Sequence, residues 1–176
     1  YGLTYPGMYL SYGLARFLLG DELFVLDVYC ILHLFASFLI VYLLLRRVRV
    51  YPSLAMAAGL AFAFSGAALI AGRSWLWVTP FLFWAPLIFY MVVRLEQSRP
   101  DWKWAVFTGF FLGIFYHAGN VQIWAYTVFF YCFILLSLFY LGKISWPKLL
   151  YASAALLFSL GLILPLVLPQ WSLAAG

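Results

Sequence analysis

Charge is what this chain has least of. Lys, Arg, Asp and Glu together make up 9% of its 176 residues, and only five of those positions are acidic. A soluble domain of that size needs far more charged surface, so the soluble classes are excluded and an integral membrane protein remains. Cysteine is scarce as well. Cys30 and Cys132 each fall inside an apolar run, where a thiol packs as a small hydrophobe, and no disulfide framework is expected. There is no CxxC, no HExxH and no Gly-rich phosphate loop. The two histidines, His33 and His117, lie at different depths, about 13 Å apart at 1.5 Å per residue, which argues against a His-ligated haem. No self-contained metal site is expected, and no cofactor is identified from the residues.

What the chain has in abundance is apolar length. It is 68% hydrophobic and 22% aromatic, with a mean hydropathy of +1.05. Crossing the hydrocarbon core takes about 20 apolar residues. Six segments are candidates: Phe24–Leu45, Leu54–Gly72, Trp75–Val93, Trp104–Ala118, Val121–Leu141 and Leu149–Leu168. The expected fold is therefore all-α, a polytopic membrane helix bundle with about six transmembrane helices and a short outer interfacial segment. Eight of the ten basic residues sit in three loops between these segments: Arg46, Arg47 and Arg49; Arg94, Arg99 and Lys103; Lys143 and Lys148. All three loops share one face if every segment spans. Lys and Arg at span ends are retained in the cytoplasm, so that face is expected inside, with the 117–120 turn outside. The net charge of +5 is divided among hydrophobic hairpins, which suits inner-leaflet lipids and not nucleic acid.

The division expected is an outer interfacial segment at 1–23, a six-span bundle at 24–168 and the start of an outer segment at 169–176. Tyr1–Arg16 is apolar but too short and glycine-broken to span, and too aromatic and weakly basic for a signal peptide. The chain opens on Tyr1 and is expected to be a piece of a longer or processed polypeptide. The second segment is rich in Ala, Gly and Ser, and Gly109 and Gly113 repeat that device in the fourth. Small residues let helices approach closely in lipid, so both segments are expected inside the bundle.

Polar residues at membrane depth are expensive and often functional. On the outer face these are Asp27, Arg73, His117, Asn120 and Gln122, with Asp21 and Glu22 read as solvated loop charges. Asp27 is the candidate carboxylate, to pair with Arg73 or hold a hydroxyl; a plain interfacial carboxylate explains it equally well. Arg73, flanked by Trp75 and Trp77, suits a phosphate held bidentately, or else snorkels to outer headgroups. His117-Ala-Gly-Asn-Val-Gln122 is the densest polar cluster. Asn120 and Gln122 bring amides to the start of the fifth segment, where Asn120 also fits a helix cap.

Several of these runs are similar to the bacterial YfhO-type membrane proteins. They are Ala61-Phe-Ala-Phe-Ser-Gly66, the Trp-rich outer turn, Pro86 with Arg94, and the Ala-Gly-Asn-Val-Gln turn followed by Tyr126. His33 followed by Arg46-Arg47, and the closing Leu-Pro-x-x-x-Pro-Gln stretch, add to the resemblance. In that family the turn tends to read Gly-His-Pro-Gln, where this chain has Gly119-Asn120-Val121-Gln122. The resemblance implies a GT-C-class glycosyltransferase that takes a polyprenyl-phosphate-linked sugar at the outer face. It implies a donor-phosphate end lined by Arg73, His117, Asn120 and Gln122, and a catalytic carboxylate upstream of Tyr1. From another class, a non-catalytic subunit of a larger membrane complex fits the aromatic content. A transporter fits less well, because the spans lack buried carboxylates.

Overall fold

The computed structural model describes residues 6–66, 68–70, 78–99, 101–118 and 121–174, and every regular element among them is a helix. In chain order these are α1 (Pro6–Leu19), α2 (Val25–Arg47), α3 (Pro52–Ala63), α4 (Phe81–Gln97), α5 (Trp102–His117), α6 (Val121–Tyr140) and α7 (Trp146–Ala174), with one 3-10 turn at Glu22–Phe24 before α2. Helix is what so apolar a chain must choose, since lipid offers its backbone no outside hydrogen-bond partner. The few hydroxyls obey the same rule. Ser37 donates to the His33 carbonyl, Thr127 to Ile123 and Ser137 to Phe133, each one turn back in its own helix.

Three helices are long and apolar enough to cross a membrane: α2, α6 and the Trp146–Pro165 part of α7. Hydropathy alone counts six segments, and the other three come out shorter. α3, α4 and α5 have 12, 17 and 16 residues. At 1.5 Å per residue they reach about 18, 26 and 24 Å, against a hydrocarbon core of about 30 Å.

The second segment is shortened by a break. Phe64 N–H closes on the Leu60 carbonyl at 2.9 Å and Ser65 N–H on Phe62 at 3.3 Å, which ends α3. Ser65 Oγ then accepts from Ala68 N–H at 3.2 Å and caps a new turn. Hydropathy does not register this interruption, because Phe-Ser-Gly remains apolar on average. In the third segment α4 runs from Phe81, just after Pro80, and the expected start at Trp75 lies outside the described residues. At the other end of the chain, α7 runs past the expected stop at Leu168 to Ala174, through Pro165 and Pro169.

α4 joins the two halves of the bundle. α1 and α3 pack on α2, α5 packs on α7, and α4 touches α2, α5 and α6. The Gly109-x-x-x-Gly113 pair does what its spacing predicts. A Cβ on Gly109 would lie 2.5 Å from the Ala155 carbonyl oxygen, and one on Gly113 3.0 Å from Leu162, so α5 and α7 touch nearly backbone to backbone. The same expectation is corrected for α3. Its small residues do not place it inside, and only Ala55, Gly59 and Ala63 are buried, with Gly59 set against Phe38 of α2. A small face permits close packing but does not supply a partner.

Inter-helix ties run from side chain to backbone. Trp104 Nε1 donates to the Met91 carbonyl at 3.0 Å and Tyr131 Oη to Ala152 at 3.3 Å. At one end the basic loops meet. Arg47 Nη2 donates to Ser98 Oγ at 3.2 Å, Gln97 Nε2 to the Arg47 carbonyl at 3.2 Å, and Lys148 Nζ to the Glu96 carbonyl at 2.6 Å. Lys148 thus reaches from α7 to the negative end of the α4 dipole. Replacing it by Met should cost about 1.5–3 kcal/mol, the range for a hydrogen bond to a charged group. Thermal unfolding in detergent reads this directly, and an unchanged midpoint would show the tie to be idle.

Candidate functional site

The end of the bundle opposite the basic loops is built from rings. Tyr29 of α2, Trp84 of α4, and Phe115 and Ala118 at the end of α5 are buried together, with Met8, Phe81, Ile123 and Trp124 packed around them. Trp84 lies nearly parallel to Phe115 at 6.5 Å between centroids. Trp124 Nε1 donates to the Leu112 carbonyl at 2.9 Å, which fixes the start of α6 against α5. Aromatic rings supply this layer with large buried area and few rotamers to freeze.

Beside the layer, α1, α2, α4 and α5 fail to close. They leave a half-open cavity of about 470 Å³, with walls that include Gly7 and Leu10 of α1, Leu32, Ala36 and Leu39 of α2, Trp84 of α4 and Ile114 of α5. From Leu32 to Leu39 it follows α2 for about 10 Å at 1.5 Å per residue. Its volume falls in the range of small-molecule sites. The lining side chains are apolar apart from His33, which is only 6% exposed, and Trp84, whose indole carries an N–H. His33 Nδ1 lies 2.8 Å from the Tyr29 carbonyl, and the Tyr29 ring lies tilted against the imidazole, 4.3 Å between centroids. A carbonyl only accepts, so the neutral ring carries its proton on Nδ1, and Nε2 is its acceptor side. Chemically, a slot of this kind can admit an apolar group of small-molecule size.

The residues singled out by sequence fall partly within view. Arg73 and Asn120 lie outside the described residues. His117 is half-buried at the last turn of α5, edge-on to Tyr116 at 5.6 Å, and Tyr116 in turn meets Trp124 edge-on at 5.3 Å. Gln122 is exposed on the first turn of α6, where its Nε2 donates to Tyr126 Oη at 2.8 Å. The structure brings His117 and Gln122 to the same helix junction, and no hydrogen bond joins them.

Asp27 is exposed in the first turn of α2, a position favoured for any carboxylate by the helix dipole, and it does not line the cavity. Asp21 is occupied in the turn before α2, accepting from Leu23 N–H at 2.9 Å. Among the described residues no group of three or more His, Cys, Asp and Glu is placed to hold a metal.

Sequence reading used His33 against haem ligation and in the family resemblance, and gave it no place in the site. The signal that marks it is its position, a lone imidazole at mid-helix in a 23-residue apolar span. Trp84 and Ala36 carried no such signal, because a cavity made by four helices has no linear trace. No family model, no curated protein and no solved structure matches this chain.

Proposed function

We propose that this chain is the membrane part of a GT-C-like glycosyltransferase that draws a polyprenyl-phosphate-linked sugar from the bilayer. The observation that carries the reading is the half-open apolar cavity along α2, with His33 in its wall. Its walls suit an isoprenoid chain. The phosphate and sugar would then lie toward the junction of α5 and α6, where His117 and Gln122 sit and where Arg73 and Asn120 are expected to contribute. In this reading all six apolar segments span a bacterial inner membrane, α3, α4 and α5 with local thinning of the bilayer. The basic end is cytoplasmic and the His117 junction faces outward.

The chemistry required is modest. A carboxylate, supplied from outside this chain or by Asp27, removes the proton of an acceptor hydroxyl, and cationic and amide groups stabilise the departing polyprenyl phosphate. The Arg73→Ala/Gln122→Ala double variant of the full-length protein should insert normally and lose transfer by at least about a hundredfold, in the range typical for removing transition-state donors. Transfer at the parent rate from a polyprenyl-phosphate sugar would sink the assignment.

One observation favours a second reading, a non-catalytic subunit of a larger membrane complex. Asp27 is exposed and no carboxylate lines the cavity. Purified full-length protein that binds polyprenyl phosphate yet transfers nothing, and becomes active only with a co-purifying membrane protein, would favour the subunit.

A further inference from the structure

α2 ends in a strained turn that its own backbone does not require. Val50 N–H reaches back to the Leu45 carbonyl at 3.0 Å and Arg49 N–H to Arg46 at 3.1 Å, the pair of bonds that closes a helix in a Schellman turn. The residue at the pivot takes a positive φ, and here that residue is Arg49, at 68°. α6 ends in the same way. Lys143 N–H bonds to Leu138 at 2.8 Å and Gly142 N–H to Phe139 at 3.0 Å, with Gly142 at the pivot, also at 68°. Glycine accepts this conformation freely, whereas an arginine Cβ is crowded in it. The chain has glycine at one of two matching turns and a strained arginine at the other, which directs attention to what the Arg49 side chain does.

What that side chain serves follows from its neighbours. Arg47 buries its Nε without a hydrogen-bond partner and uses Nη2 on Ser98. A guanidinium has five N–H donors, so most of this fork is unspent. Arg46 folds Nη1 onto the Val50 carbonyl at 2.7 Å, across the same turn. Arg49 is exposed, and its guanidinium has no hydrogen-bond or ion-pair partner among the described residues. Only Glu96 and Asp101 bring carboxylates to the basic loops. Asp101 is engaged at the start of α5, where it accepts from Trp104 N–H at 2.8 Å.

Depth is given by the rings at this end. Tyr51 is 78% exposed, Trp102 65%, Tyr140 90% and Trp146 59%, all at or beside helix ends that meet there. Exposed Tyr and Trp collect at headgroup level, so the arginines lie level with lipid phosphates.

We propose that the turn ending α2, with Arg46, Arg47 and Arg49, binds the phosphate of an anionic phospholipid headgroup. Planar guanidinium forks match phosphate oxygens bidentately. The negative helix end opposes an anion with roughly half a charge, which three full cations outweigh. The site is independent of the glycosyltransferase reading, since it lies at the other end of the bundle.

The test is thermal unfolding of the full-length protein in phosphatidylcholine nanodiscs, with and without phosphatidylglycerol. Phosphatidylglycerol should raise the parent midpoint. Arg49→Gly should unfold at a higher temperature than the parent in phosphatidylcholine, because strain is relieved, and should lose at least half of the phosphatidylglycerol increment. Arg46→Gln/Arg47→Gln should lose the remainder. Arg49→Gly keeping the full increment, or gaining no stability in phosphatidylcholine, overturns the proposal. The same increment from inorganic phosphate in phosphatidylcholine discs also overturns it, because the ligand is then a free anion and not a lipid.

Discussion

Gly109→Leu should part α5 from α7 and cost the protein about 3 kcal/mol, on the order of 6–12 °C in Tm for a chain of this length. The magnitude follows from what the added atoms meet. The nearest is a backbone atom, the Ala155 carbonyl oxygen at 2.5 Å from the first added carbon, with Phe158 at 2.8 Å and 3.2 Å behind it. A side-chain tip can swing aside, but a helix backbone moves only as a unit. Gly113→Ala should cost less, since its neighbours are the Leu162 side-chain carbons at 3.0 Å and 3.2 Å. Gly161→Ala provides the contrast. Nothing lies within 4 Å of that position, so the substitution should be neutral or stabilise α7 by about 0.5–1 kcal/mol through helix propensity. Thermal unfolding of the three variants in one detergent gives the ranking. Equal midpoints for Gly109→Leu and Gly161→Ala would mean that α5 and α7 do not pack as described.

Ala36→Trp should impair use of a lipid-linked donor while the protein still folds. Ala36 sits on the cavity-lining stretch of α2 between Leu32 and Leu39, where an indole would fill part of the cavity. A fall in kcat/KM of at least about tenfold is expected, equivalent to some 1.4 kcal/mol of lost transition-state binding. Tm should move by no more than a few degrees, because the cavity is half-open and the ring can lie in it without displacing a helix. Ala57→Trp on the exposed side of α3 controls for an added indole elsewhere and should leave transfer unchanged. Full activity with the cavity filled would remove it from the account.

The fold was legible where sequence carries a local signal. Residues 121–141 read as a span, and α6 occupies Val121–Tyr140; residues 24–45 correspond to α2 at Val25–Arg47. Continuous apolar length with polar ends is read one residue at a time, so these bounds hold closely. The basic loops also converge as their alternation requires, through Arg47, Ser98 and Lys148. Tertiary choices were not legible. The break at Phe64–Ser65 is set by a hydroxyl cap inside an apolar run, and the placement of α3 depends on which helix covers its small face. The candidate site divides the same way. His117 and Gln122 were found because polar groups stand out in an apolar chain. His33 was seen but discounted, since only the gap between α1, α2, α4 and α5 distinguishes a cavity-lining imidazole from a packed one.

Photo-crosslinking tests the central claim, that the slot along α2 holds the chain of a lipid-linked substrate. A polyprenyl phosphate carrying a diazirine in its tail would be irradiated with the full-length protein in nanodiscs and the labelled peptides identified. The account predicts label on residues 32–39 of α2 and on Phe83 and Trp84 of α4, suppressed by excess unlabelled polyprenyl phosphate and by Ala36→Trp. Label confined to outward-facing rings such as Phe129, Phe130 and Phe133 of α6, and indifferent to competitor, would contradict it.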